Sequence, residues 1–189
     1  MHRQHTVDRF QFTEKTQKGS GVIILGVDPG SNATGYGLIN SVAEKNILIQ
    51  SGVIESSPRD PLPEKLKEIF KGLVKIIKNN HPHQFAIEQA FYSKNAKSAL
   101  IMGQARGVAI LAAARSNLPI GEYSPKEVKC AIVGSGNASK SQVQYVVKKL
   151  LNLKELPQPV DAADALAVAL CHAQRLRQNY IMSTRVSKD

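Results

Sequence analysis

Residues 22–39, VIILGVDPGSNATGYGLI, decide the architecture. The first seven form a β-branched apolar run closed by Asp28 and then Pro29-Gly30, which is a strand running into a turn. Thr34 to Val42 and Ile47 to Glu55 read as two more strands joined by Glu44-Lys45-Asn46, so the chain opens with an antiparallel meander. Working outward, PLPEKLKEIFKGLVKIIKNN (61–80) sets Leu62, Leu66, Ile69, Phe70, Leu73, Ile76 and Ile77 on one face of a helix that Asn79, Asn80 and Pro82 end. QFAIEQ (84–89) is a short buried strand, Asn95 to Ser116 a long helix, and LPIGEY (118–123) a further strand. Ser124-Pro125 opens a helix over Lys126 to Val133, because Pro fits the first helical position. Ser139 to Leu153 and Val160 to about Arg177 complete the helices. The pattern predicts an α/β protein with a mixed sheet covered by helices.

The 189 residues suit one domain with one core, and 42% hydrophobic with 21% charged residues excludes a disordered or fibrous chain. A formal net charge of +10 favours a polyanionic partner such as nucleic acid. Only Cys130 and Cys171 occur, without metal-ligand spacing, which suggests neither a disulfide framework nor a cysteine zinc site and fits a reducing cytosol. No apolar run approaches a membrane span and the first 21 residues lack a secretory h-region, so a soluble, cytoplasmic protein is expected. Residues 1–21 carry four basic and two acidic groups and 173–189 carry four and one; both ends read as polar, mobile, mildly basic tails around a domain over 22–172.

Four carboxylates fall in apolar places. Asp28 closes the first strand and Glu88 interrupts an apolar one; Asp161 and Asp164 share a helix face in DAADALAVAL, with only Ala between them. If the sheet brings Asp28 and Glu88 opposite that helix end, the four acids cannot all ionise without a compensating cation. Hard oxygen donors of this kind suit Mg²⁺ or Mn²⁺, and two such ions about 3.5–4 Å apart serve phosphodiester hydrolysis. Plainer readings stand beside this one. Asp161-x-x-Asp164 after Pro159 can be an N-cap and a third-position acid, and Asp28-Pro29-Gly30 can be only a turn. Glu88 has no cap or turn to serve, and acids are rarely buried without a partner.

Lys129 and Lys140 flank the loop GSGN (134–137), where a basic group near the acids would meet phosphate. Phe91-Tyr92 follows the acidic strand and precedes Ser93-Lys94-Asn95, a position from which an aromatic could stack on an unpaired base, or simply pack inward. In the long helix Ala96, Ala99, Gly103, Gly107, Ile110 and Ala114 recur at helical spacing, so something should approach closely there, either the protein's own sheet or a second copy. The segment CAIVGSGNASKS (130–141) nearly spells an apolar strand followed by a P-loop, but Ser139 stands where that pattern needs Gly. A nucleotide hydrolase is thus the distant alternative.

Together, VIILGVDPGSNATGYGLI (22–39), FAIEQAFYSKNAKSALIMGQARGVA (85–109), KSQVQ (140–144) and DAADALA (161–167) resemble the RuvC Holliday junction resolvases, over about residues 22–172. The resemblance implies a ribonuclease H-like fold with a five-stranded mixed sheet, its first three strands antiparallel, flanked by helices. It implies a homodimer that binds four-way junction DNA and cuts two opposed strands symmetrically in a Mg²⁺-dependent reaction, with a link to the RuvA and RuvB branch-migration complex. By motif the catalytic, metal-binding acids fall on Asp28, Glu88, Asp161 and Asp164, the catalytic lysines on Lys129 and Lys140, and the aromatic beside the acidic strand on Phe91. Phe91, Tyr92, Lys94, Lys129 and Lys140 are then the candidate DNA contacts. Another ribonuclease H-like nuclease, acting on RNA–DNA hybrid or structured nucleic acid, is the nearer alternative.

Overall fold

The computed structural model describes residues 21–89 and 95–186. Three strands, β1 (Val22–Asp28), β2 (Ala33–Val42) and β3 (Lys45–Glu55), form the expected meander. The turn is tighter than expected: β3 starts at Lys45, because Ala43 adopts a left-handed conformation (φ 52°) that reverses the chain at Ala43-Glu44. Then come α1 (Leu62–Asn80), β4 (Gln84–Glu88), α2 (Ala96–Arg115), β5 (Ile120–Tyr123), α3 (Pro125–Val133), α4 (Lys140–Leu150) and α5 (Val160–Val186). The sheet order is β3-β2-β1-β4-β5, with β4 parallel to both β1 and β5.

Period-two alternation splits β1 between two cores. Leu25 and Val27 face α1 and α2 with Ile69, Leu73 and Ala109, whereas Ile24 faces α5 with Leu166 and Leu170. Helices therefore cover both faces of the sheet. Local chemistry sets the helix ends. Ser124 and Ser139 each accept from the backbone three residues on, and Glu127 and Gln142 reach back to complete capping boxes that start α3 and α4. His81 ends α1 in a left-handed conformation and donates its N–H to the Ile77 carbonyl.

Two expectations need correction. The last helix does not stop near Arg177 but continues to Val186, so most of 173–189 is helix rather than tail. Leu176 and Tyr180 keep the stripe that packs on the core, and Arg177 donates to Ser41 Oγ and the Ala43 carbonyl, both at 3.2 Å. Residues 130–133, the supposed strand of a P-loop, are the last turn of α3, closed by Gly134 at φ 82° with its N–H on the Cys130 carbonyl. A helix–loop–helix cannot present a P-loop, and the nucleotide-hydrolase alternative falls with it.

Candidate active site

Because β1 and β4 are parallel neighbours, their last residues, Asp28 and Glu88, end at one edge of the sheet. Both lie on the face that α5 covers, in step with Ile24 and Ala86. α5 brings Asp164 to that edge, flanked by the buried Ala163 and Ala165. Asp28, Glu88 and Asp164 line a cleft of about 190 Å³, together with Lys129 from α3 and Lys140 from α4. Pro125, Val128 and Val143 supply its apolar lining. Asp161 does not line this cleft, although its charge reaches Asp28 and Lys140. Nor does it cap its helix: α5 starts at Val160, and the Pro159 carbonyl accepts from Ala162 and Ala163, which leaves Asp161 inside the first turn.

The close approach of α5 depends on residues that the sequence reading passed over. A Cβ on Gly35 would stand 2.0 Å from the Asp161 carbonyl oxygen, and one on Gly26 would stand 2.3 Å from that of Ala165. Gly37 lies beneath Leu166 in the same way. Gly35 is the register partner of Asp28, so the backbone of Asp161 rests directly across from that carboxylate. The available signal was the spacing of Gly35 and Gly37, which puts both on one face of β2; glycine inside a strand marks a close backbone approach. Thr34, also missed, is fully buried and donates to the Gly30 carbonyl at 2.8 Å, closing the turn that follows Asp28.

Burial and mutual repulsion dominate the electrostatics. Burial, then the Glu88 and Asp164 carboxylates, push the Asp28 carboxyl up to about 7, against the pull of Lys140. Glu88 is raised by burial and by Asp164, and Lys140 and Lys129 oppose the rise. Lys140 donates to Asp164 Oδ2 at 2.6 Å, and this bond holds its ammonium above the usual lysine range. As the first residue of α4, Lys140 sits where the helix dipole disfavours a cation, and Asp164 offsets that cost. Its side chain is 69% exposed, so the pair adds little stability and leaves the ammonium accessible from solvent.

A divalent cation suits this chemistry: the donors are hard carboxylate oxygens, and burial together with neighbouring carboxylates holds Asp28 and Glu88 toward the neutral form. Asp28, Glu88 and Asp164 would hold it, with Asp161 at the rim. Among the described residues no three His, Cys, Asp or Glu groups are drawn together into a ready-made ligand set. Phe91, Tyr92 and Lys94 lie outside the described residues. His172 is buried between Tyr123, whose hydroxyl is 2.7 Å from Nδ1, and Gln84.

Comparison with known proteins identifies the family. The family model for crossover junction endodeoxyribonuclease RuvC matches residues 24–172. The protein of that name from Shewanella piezotolerans is 56% identical over 150 residues, covering 79% of this chain and 86% of its own. Its counterpart from Saccharophagus degradans is 57% identical over the same shares. Among solved structures, Thermus thermophilus RuvC in complex with Holliday junction substrate superposes with a TM-score of 0.79 at 33% identity, over 84% of this chain and 96% of that one. The yeast mitochondrial resolvase Ydc2, with a TM-score of 0.58 at 14% identity over 91% and 90% of the two chains, shares the fold. A five-stranded ribonuclease H-like sheet, acids at the ends of its parallel strands and this degree of identity together place the chain in the RuvC family of crossover junction endodeoxyribonucleases.

Proposed function

We propose that this chain is the structure-selective endonuclease that resolves four-way DNA junctions in recombination and repair, through symmetric hydrolysis of two opposed strands. The observation that carries it is the cleft where Asp28, Glu88 and Asp164 meet Lys129 and Lys140, in a member of a nuclease family. Asp28, Glu88 and Asp164, with Asp161 beside them, would hold a divalent metal, Mg²⁺ in our reading and two ions per subunit with Mn²⁺ able to substitute; once bound, it would supply water activation and charge stabilisation at the leaving oxygen. Lys140, released from Asp164 by an incoming phosphate, and Lys129 oppose the charge that builds on the non-bridging oxygens in the transition state. The N-terminal end of α4 adds its free N–H groups toward the same anion. Phe91, Tyr92 and Lys94 are assigned to junction contact on sequence alone.

The catalytic unit is residues 22–172, in line with the family match at 24–172. We assign it a homodimer built on α2. In that helix Ala105, Ala109, Ala112 and Ala113 face the protein's own core, whereas among the described residues Cβ atoms on Gly103 and Gly107 would meet nothing within 4 Å. Leu100 and Leu111 share the outward side at 66% and 52% exposure. The small-residue stripe is thus split, and its glycines are open to a second copy rather than pressed on the sheet. Among the described residues no helix is long and apolar enough to cross a membrane; we assign its action on DNA to the cytoplasm. A functional link to RuvA and RuvB completes the assignment.

The test is to incubate the purified protein with a labelled four-way junction, a linear duplex and an RNA–DNA hybrid, with Mg²⁺ and with EDTA. Metal-dependent, paired nicks in the junction alone are expected. Equal or better cutting of the hybrid would overturn the assignment.

A further inference from the structure

At the other end of the sheet from the acids, an apolar groove of about 720 Å³ opens between the β2–β3 turn and the distal part of α5. Val42, Ala43, Ile47, Arg177, Tyr180 and Ile181 line it. Ile47 is 55% and Ile181 49% exposed, with Met182 beside them at 67%. Grouped apolar exposure of this kind marks a surface that something covers.

The path of the chain indicates what does. Val22 pairs with Ser41, so continuing the register sets Gly21 opposite Val42, beside the turn that forms the groove wall. The fit is tight: a Cβ on Gly21 would stand 2.1 Å from Asn40 Oδ1 and 2.5 Å from Val42 Cγ2. Among the described residues Asn40 Oδ1 is a buried acceptor without a hydrogen-bond partner, placed where backbone N–H groups of an entering strand would pass. The groove wall at 177–181 lies outside the family match at 24–172, as do residues 1–20.

We propose that this groove seats the chain's own N-terminal segment, with Phe10 and Phe12 of HTVDRFQFTEK (5–15) as its anchors. An extended chain spans about 3.3 Å per residue, so Phe12 can reach roughly 30 Å from Gly21, enough for any point in the groove. The covalent tether makes docking intramolecular, at an effective concentration on the order of millimolar, which an untethered partner of equal contact area lacks. Asp8 and Arg9 precede Phe10, and the groove rim offers Lys45 and Glu44, one charge of each sign on each side. Docked in this way, the segment joins the start of β1 to the end of α5.

Cysteine cross-linking in the full-length chain tests this. In a Cys130→Ser, Cys171→Ala background, Phe12→Cys is paired either with Ile181→Cys or, as a control, with Lys71→Cys on α1. On mild oxidation the groove pair should form an intramolecular disulfide at least tenfold faster than the control pair, read by non-reducing electrophoresis and peptide mass. Separately, Phe10→Ser with Phe12→Ser in the otherwise native chain should raise the fluorescence of an added anilinonaphthalene sulfonate probe at least twofold with no loss of the cooperative melt. Equal rates for the two pairs overturn the proposal. So does a groove-pair product found only at twice the chain mass, which would put a second copy in the groove, and so does an unchanged probe signal.

Discussion

Gly35→Ala is the sharpest probe of how the cleft is built. The new Cβ would stand 2.0 Å from the Asp161 carbonyl oxygen, 2.5 Å from its carbonyl carbon and 3.1 Å from its Cβ. Ordinary C···O contacts begin near ~3.3 Å, so roughly 1.3 Å must be found. Gly35 lies on β2, hydrogen-bonded between β1 and β3, so the first turn of α5 must yield. That lifts Asp161 and Asp164 away from Asp28. Overpacking of this kind costs about 1–3 kcal/mol, and a ~1 Å misplacement of reacting groups costs about 10²-fold in rate. We expect single-turnover junction cleavage to fall about a hundredfold, with junction affinity in EDTA within about threefold of wild type and a cooperative melt at lower temperature. Gly37→Ala is the comparison, because its Cβ first meets the Leu166 side chain at 2.6 Å, which can rotate, and the Leu166 amide nitrogen only at 3.0 Å. It should lose stability with a much smaller loss of rate. Wild-type cleavage by Gly35→Ala, or equal rate losses in the two variants, would refute the view that these glycines set the height of the acids above the sheet.

Further outcomes follow from other parts of the structure. Burial holds the His172 imidazole down to about 4, below its ordinary 6.5. The unfolded chain therefore takes up this proton first as pH falls, and stability drops between about pH 6.5 and 4, by up to roughly 3 kcal/mol; chemical denaturation of wild type against His172→Gln isolates this share, and parallel pH slopes would contradict it. Lys140→Ala or Lys129→Ala should lower the cleavage rate more than junction affinity, and an affinity loss that explains the whole defect would reduce them to ordinary backbone contacts. Asp161→Asn should retain metal-free junction binding but lose most Mg²⁺-dependent cleavage, whereas full activity would remove Asp161 from the metal ligands. Leu111→Glu on the open face of α2 should shift the protein to monomer in sedimentation at micromolar concentration while the fold is retained; an unchanged dimer would place the interface elsewhere.

What the sequence could disclose was whatever is written locally. Glu88 announced itself because an acid inside an apolar strand has no local task, whereas Asp28, set before Pro29-Gly30, could equally be read as part of a turn. The serine caps, the amphipathic α1 and the meander are likewise short-range signals. The role of Gly35 was hidden, because it depends on two non-local facts: its register opposite Asp28 and the docking of a helix that follows more than a hundred residues later. The distal part of α5 was lost for a related reason. Its Arg, Gln and Asn residues read as a tail, and only the sheet supplies the surface on which Leu176 and Tyr180 pack. Gly103 and Gly107 gave the correct spacing but not the direction, since a stripe of small residues does not say which side of the helix meets the core.

The acids of the cleft come from β1, β4 and α5, and so span nearly the whole family match at 24–172. During synthesis, β1 to β4 can pair as soon as they emerge, yet the cleft stays without Asp164 and without the face that covers the sheet until α5 follows. Long-range closure of this kind is slow relative to local folding. A nascent or truncated chain therefore holds Asp28 and Glu88 on an open sheet edge with no partner helix. On the assignment proposed above, the set of acids that would hold metal is incomplete until the last helix arrives.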